Sequence, residues 1–226
     1  MKRGKFIVIE GIDASGKTTQ YNLLKRKLKS RKLKFITADF PRYYKSEWGK
    51  LVGRYLEGEF GGLDEVDPHL ALLPYMIDQY TWSRDIGKLW ISKGGWILSN
   101  RYFTSDVHQI AKLKVKKRKK FRNWLWTLGY KDLGMLEPDL VIFIDVPPKV
   151  AMKLNKAKQE RTYLKGKKED LAEKSRKHQA ASYDEYLLTV KNNKNWKRVR
   201  CLTKGNLDSP QEIRKRVWKQ VEKIIM

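Results

Sequence analysis

The chain has 226 residues, and its 50 Lys and Arg against 25 Asp and Glu give a formal net charge of +25. That length fits one domain at ~100–200 residues each, and 41% hydrophobic residues with eight Trp make a disordered chain untenable. A single cysteine, Cys201, excludes an intramolecular disulfide and a cysteine-built zinc site and fits a reducing, cytoplasmic setting. No apolar run approaches the ~20 residues that span a bilayer. Met1-Lys2-Arg3-Gly4 passes straight into a strand-like run, with no signal-peptide pattern.

Short β-rich runs alternate with longer helical patterns. Phe6-Ile7-Val8-Ile9 predicts a buried strand, and 17–32 a helix with Tyr21, Leu24 and Leu28 on one face. Phe35-Ile36-Thr37-Ala38 predicts a second strand. Helical pattern fills 46–59 and 68–92, and Gly94-Gly95 breaks it before a third strand at Trp96-Ile97-Leu98. Leu140-Val141-Ile142-Phe143-Ile144 is the clearest strand, closed by Pro147-Pro148, which opens another helix. A polar stretch follows at 155–170, then two helical segments flanking a last strand at 199–202. Apolar strands separated by helices predict an α/β fold, a parallel sheet covered on both faces.

The positive charge predicts attraction to anions: nucleotides, nucleic acid or an anionic surface. It is densest at Lys112, Lys114, Lys116, Lys117, Arg118, Lys119, Lys120 and Arg122. Such a run reads as a solvated helix face or connector, or as a nucleic-acid patch. Trp124 and Trp126, in an amphipathic stretch with Phe121, Leu125 and Leu128, read as core.

The strongest chemical signal is Gly11-Ile12-Asp13-Ala14-Ser15-Gly16-Lys17-Thr18, which fits G-x-x-x-x-G-K-[ST] between a strand and a helix. Glycines let the backbone approach phosphate oxygens, and successive N–H groups at a helix N-terminus form an anion nest. In such a loop Lys17 reaches the β- and γ-phosphates of ATP and the Thr18 hydroxyl binds Mg²⁺. Arg42 and Arg101 follow predicted strands, at the carboxyl edge where open α/β sheets bind ligands. Both are candidate cations for phosphoryl transfer.

Several motifs together resemble those of the thymidylate kinase family, in the nucleoside monophosphate kinase group. They are Phe6 to Asp13 with Ser15-Gly16-Lys17-Thr18-Thr19; Phe40-Pro41-Arg42-Tyr43 followed by Gly49-Lys50-Leu51; Leu72 to Gln79; Asn100-Arg101-Tyr102-Phe103-Thr104-Ser105; and Pro138 to Pro147. The resemblance covers nearly the whole chain. It implies ATP-dependent phosphorylation of dTMP to dTDP with Mg²⁺, in a homodimer, with no membrane partner. It implies a three-layer P-loop fold with a five-stranded parallel sheet, residues 1–226 forming one domain with a mobile lid at about 155–170.

By position, the resemblance has Asp13 contact the deoxyribose 3′-hydroxyl or magnesium, and Phe40, Arg42 and Tyr43 shape the acceptor pocket. Tyr75 stacks on thymine, as an aromatic face suits a base. Arg101 bridges the donor and acceptor phosphates. The lid supplies a further cation, because the phosphate loop carries Ala14: Arg161 first, whose guanidinium is a rigid fork, then Lys165 or Lys168.

Three departures stand out. Asn100 replaces the usual Asp of D-R-Y, so metal binding leans on Thr18, the phosphates and Glu10 through water. Gln79 replaces the Arg that reads the thymine carbonyl, while keeping an amide donor. The run after Ser105 is shorter than the family pattern, and Asp106 stands where an Asn faces the base. Histidines 69, 108 and 178 form no metal cluster by spacing and read as surface or pocket residues. Two other readings stay open: a kinase of another deoxynucleoside monophosphate, and a basic ATPase that binds nucleic acid non-specifically.

Overall fold

A computed structural model describes residues 3–155 and 175–225. Five parallel strands form its sheet: β1 (Phe6–Glu10), β2 (Phe35–Asp39), β3 (Trp96–Asn100), β4 (Leu140–Asp145) and β5 (Trp196–Arg200), in the order β2-β3-β1-β4-β5. Every residue of β1 and β4 is buried, as continuous apolar runs in the middle of a two-side-covered sheet require. From β1 the chain moves to one side for β2 and β3, then to the other for β4 and β5. The carboxyl end of β1 is therefore the switch point where such sheets bind ligands. The register sets Ile9 beside Asn100 and Asn100 beside Asp39.

The helices are α1 (Lys17–Ser30), α2 (Glu47–Glu57), α3 (Pro68–Trp82), α4 (Lys88–Ser92), α5 (Val107–Ala111), α6 (Val115–Trp126), α7 (Pro148–Asn155), α8 (Arg176–Asn192) and α9 (Pro210–Ile225). α1 turns Tyr21, Leu24 and Leu28 inward, the face its spacing predicts. The helical pattern at 68–92 is interrupted by a wider π turn at Ser83–Gly87. There the Ser83 hydroxyl accepts the backbone N–H of Leu136 at 2.7 Å. Two acids of the Pro138 to Pro147 motif tie strands together. Asp139 accepts the N–H of Phe6 at 2.8 Å, and Asp145 accepts from Tyr183 on α8 and Arg198 on β5, both at 2.7 Å.

Three expectations need correction. The last strand begins at Trp196, three residues before the predicted start, and ends at Arg200. It pairs with β4 from Val141 to Asp145, and charged Lys197, Arg198 and Arg200 on this edge strand hid it from an apolar-run reading. Leu202 belongs instead to a two-residue strand, β6 (Leu202–Thr203), paired antiparallel with β7 (Asn206–Leu207). Trp124 is 40% exposed, lying over His69 and Phe121 at the surface, while Phe121 and Leu125 are buried and Trp126 packs on Phe103 and Tyr130.

The basic run divides in two. Lys112 donates to the Val66 carbonyl at 2.8 Å and the Tyr55 hydroxyl at 3.2 Å, and Arg118 and Arg122 both pair with the buried Glu185 of α8, at 3.4 and 2.5 Å. Lys114, Lys116, Lys117, Lys119 and Lys120 are exposed, a solvated helix face.

Candidate active site

The loop after β1 is built for close approach. Gly11 has φ +156°, and a Cβ there would stand 2.6 Å from Ser15 Oγ and 3.0 Å from the Ile144 carbonyl. Ala14 and Gly16 take left-handed φ of +59° and +84°. Gly16 caps α1 without a side-chain acceptor, so the first N–H groups of the helix stay available to an anion. Lys17 is buried against the loop, its Nζ donating to the Ile12 carbonyl at 2.6 Å.

Arg101 leaves β3 at φ +62°, which turns its side chain toward this loop. Its Nη2 donates to Asp13, and its Nη1 lies 3.2 Å from Ser105 Oγ and from His108 Nε2. Beneath it, the buried Glu10 carboxylate accepts from Thr104 at 2.6 Å, from Ser105 at 2.8 and 2.9 Å, and from Tyr186 at 2.8 Å. Burial works against the Arg101 charge, but Asp13, Tyr186 and Glu10 outweigh it and push its pKa up. Burial likewise opposes the Asp13 charge, and Arg101 and Lys17 overcome it, holding Asp13 well below the usual carboxylate range. Gln179 of α8 donates to the other Asp13 oxygen at 3.0 Å.

His108 and His178 lie together beside this cluster, ring centres 5.8 Å apart, with His108 Nδ1 3.0 Å from Ser182 Oγ. Burial drives both pKa values down, His178 to about 4. Both rings are therefore neutral near pH 7.

A cavity of about 600 Å³ extends from the loop past Arg101 to an aromatic end. Pockets for small molecules fall in this size range. Asp13, Ala14, Ser15, Gly16, Lys17, Thr18, Thr19, Phe40, Tyr43, Tyr75, Gln79, Arg101 and Asp106 line it, so most predicted site residues converge. At the aromatic end Tyr55 meets Tyr75 edge-on at 6.4 Å. With its amide turned to satisfy both neighbours, Gln79 Nε2 donates to Asp106 Oδ2 at 3.1 Å and to the Tyr75 carbonyl at 3.2 Å, and burial pushes the Asp106 pKa well up.

Glu10, Gly11, Ile12 and Arg42 stand behind that wall. The Arg42 guanidinium turns into the protein: Nε pairs with the fully buried Asp78 at 2.8 Å, and Nη2 donates to the Asp78 carbonyl at 2.8 Å and Thr81 Oγ1 at 3.0 Å. Arg161, Lys165 and Lys168 lie outside the described residues.

Sequence reading missed Tyr186, Gln179 and Ser182, which reach the site from α8. Nothing in their local pattern marks them, since their partners lie far away in sequence. It also missed Asp39, whose place at the end of β2 was a usable signal. Burial raises the Asp39 pKa, opposed by the Asn100 hydrogen bond and the Arg101, Lys45 and Lys17 charges.

Comparison with known proteins agrees with this geometry. The family model described as thymidylate kinase matches residues 9–201. Thymidylate kinases from Plasmodium falciparum, Carboxydothermus hydrogenoformans and Schizosaccharomyces pombe are 31%, 30% and 34% identical over 66%, 70% and 66% of this chain. Those matches span 65%, 73% and 64% of the relatives, so the chain spans about two thirds of the length of the curated relatives it matches. A thymidylate kinase from Prochlorococcus marinus aligns over 99% of this chain and 98% of its own, at 26% identity. The solved thymidylate kinase of Candida albicans shares the fold, with a TM-score of 0.72, 21% identity, and coverage of 98% of this chain and 92% of that one. The phosphate loop, the Arg101 junction and the aromatic pocket occur in one cavity of a chain whose residues 9–201 match the family model, and on these grounds the chain belongs to the thymidylate kinase family.

Proposed function

We propose that this chain transfers the γ-phosphoryl group of ATP to the 5′-phosphate of dTMP, forming dTDP and ADP. The observation that carries the reading is the single cavity that joins Lys17 of the phosphate loop to Tyr75 and Gln79, with Arg101 at the junction. A nucleoside monophosphate already carries an anionic oxygen as nucleophile, so no strong general base is needed. Catalysis is then positioning and charge neutralisation. Lys17 holds donor oxygens. Arg101 sits where both phosphates meet, and Arg161 adds a cation from the segment expected to cover ATP. Asp13 orients Arg101 and faces the acceptor sugar.

At the acceptor end Tyr75 offers a stacking face, Phe40 and Tyr43 shape the walls, and Gln79 with Asp106 reads the base edge. Arg42 acts through Asp78, fixing the backbone of the Phe40-Pro41-Arg42-Tyr43 turn.

The residues present fit a magnesium ion. Thr18 lines the cavity, and the buried Asn100 Oδ1 and Ser15 Oγ have no hydrogen-bond partner among the described residues. Magnesium bound with ATP supplies charge neutralisation at the phosphate oxygens. Thr18 is the direct ligand in this reading. Glu10 acts at one remove, because Thr104, Ser105 and Tyr186 already occupy its oxygens.

The chain is further proposed to act as one kinase domain with a lid, as a homodimer, in the cytoplasm. Exposed Leu70 and Leu73 on α3 support self-association. No helix among the described residues is long and apolar enough to cross a membrane. Phosphorus NMR of a reaction containing Mg²⁺, ATP and dTMP tests the central reading: β-phosphate signals of dTDP and ADP are expected to appear together. ADP appearing without dTDP would make the chain an ATPase instead.

A further inference from the structure

Among the described residues four acids line the cavity, Asp13, Asp39, Asp106 and Asp208. Three are committed. Asp13 holds Arg101 and Gln179, Asp106 sits with Gln79 at the aromatic end, and Asp208 pairs with Arg216 at 2.6 Å and accepts from Thr203 at 3.1 Å. Asp39 differs. It closes β2 directly beside Asn100 at the end of β3, and among the described residues the Asn100 amide is the one group that donates to it, at 2.9 Å.

A carboxylate offers about four lone-pair sites, so this leaves most of the Asp39 acceptor capacity open to the cavity. The same hydrogen bond fixes the Asn100 amide. Its Nδ2 is turned to Asp39, and its Oδ1 is buried with no partner among the described residues, in a residue only 8% exposed. The Asp39 carboxylate, held by the Asn100 amide, therefore stands in the cavity that Thr18 and Lys17 also line. Asp39 is exposed and lines the cavity, so its open lone pairs are within reach of a ligand that brings donors. Magnesium dehydrates reluctantly and keeps several waters, each with two protons to donate.

We propose that Asp39, oriented by the Asn100 amide, forms the protein's outer face of the magnesium site, its carboxylate accepting hydrogen bonds from water on the ion that Thr18 and the ATP phosphates hold. This rests on the kinase reading above and adds to it. The acid that serves the metal stands on β2, and the neighbouring β3 position supplies an amide that orients it. Asp39 is a positioning residue here, acting on the metal through water.

The test is Mn²⁺ binding, followed by electron paramagnetic resonance, in the complex of the full chain with adenosine 5′-(β,γ-imido)triphosphate. Nucleotide binding in EDTA is measured alongside. Asp39→Asn is expected to weaken Mn²⁺ binding by about 10-fold or more, as loss of outer-shell partners does, with nucleotide binding in EDTA unchanged. Asp39→Ser, which removes the carboxylate with less bulk, is expected to give the same loss. The exchange Asp39→Asn with Asn100→Asp keeps one acid and one amide in contact and is expected to restore most of the affinity. Unchanged Mn²⁺ affinity in Asp39→Asn and Asp39→Ser, or an equal loss in EDTA, would overturn the proposal while leaving the kinase reading standing. A wild-type chain that binds no nucleotide would overturn both.

Discussion

Arg101 and Asp13 close on each other across the phosphate loop, the guanidinium of one donating to the carboxylate of the other. Ser105, His108 and Tyr186 hold the remaining side of the same guanidinium. Its charge is thereby fixed in place, which in the proposed reaction leaves little reorganisation. Arg101→Lys keeps the charge and loses the fork. It is expected to lower kcat by about 10²–10³-fold, the usual effect of removing one preorganised donor, with a smaller change in KM. Steady-state kinetics with dTMP checks this.

Asp78 has a side chain with no exposure, and it accepts from the Arg42 backbone at 2.9 Å, from Arg42 Nε at 2.8 Å and from Ser46 Oγ. Removing one partner of a buried pair leaves an uncompensated charge. Asp78→Ala is expected to cost about 3–5 kcal/mol of stability, read as a lowered urea midpoint. A role of Asp78 confined to substrate binding would leave that midpoint in place.

Two glycines of α2 separate backbone contact from mere composition. A Cβ on Gly49 would lie 2.3 Å from the Arg42 carbonyl oxygen, a backbone atom that cannot step aside, whereas a Cβ on Gly53 would lie 3.6 Å from the Tyr43 ring. Gly49→Ala is expected to destabilise by about 1–3 kcal/mol. Gly53→Ala is expected to be neutral or to stabilise by up to ~1 kcal/mol through helix propensity. Thermal or urea unfolding of the pair distinguishes them.

How far these relationships could be read beforehand depends on whether they are local. β1, β4, α1 and the phosphate loop were legible because each is a run of neighbouring residues whose pattern carries its own reason. Arg42 was legible as important from its strand-end position, and the packing of α3 adds its pairing with Asp78. Gly49 was legible as part of a motif, and the structure adds the close approach that requires it. The α8 groups were invisible, since Tyr186 meets Glu10 across 176 positions. Edge strand β5 was displaced because Lys197, Arg198 and Arg200 put charge on both of its faces and mask the alternation. Asp39 was overlooked because an acid in a chain of +25 looks like surface until the register sets it beside Asn100.

The buried histidines make stability depend on pH with a definite sign. His178 has a pKa of about 4 in the folded chain, lowered chiefly by burial, against an ordinary 6.5. The unfolded chain takes up a proton first as pH falls. The contribution of neutral His178 is therefore complete above about pH 6.5 and is lost as pH falls toward 4. Between pH 7 and 5 this one group is expected to cost about 2 kcal/mol, and His108, shifted the same way, adds to the trend. Urea titrations at the two pH values are expected to show a steeper loss for wild type than for His178→Asn.

The measurement that bears most directly on the central claim is a coupled assay of ADP release from Mg-ATP, with dTMP, dUMP, dCMP, dAMP and dGMP offered separately beside a Lys17→Ala control. Turnover that prefers dTMP and disappears in the control is expected, since Lys17 lines the cavity at the loop proposed to hold the donor phosphates. Preference for another monophosphate would contradict the assignment of Gln79 and Asp106 to thymine. A chain that binds ATP yet turns over none of the five would contradict the kinase reading itself.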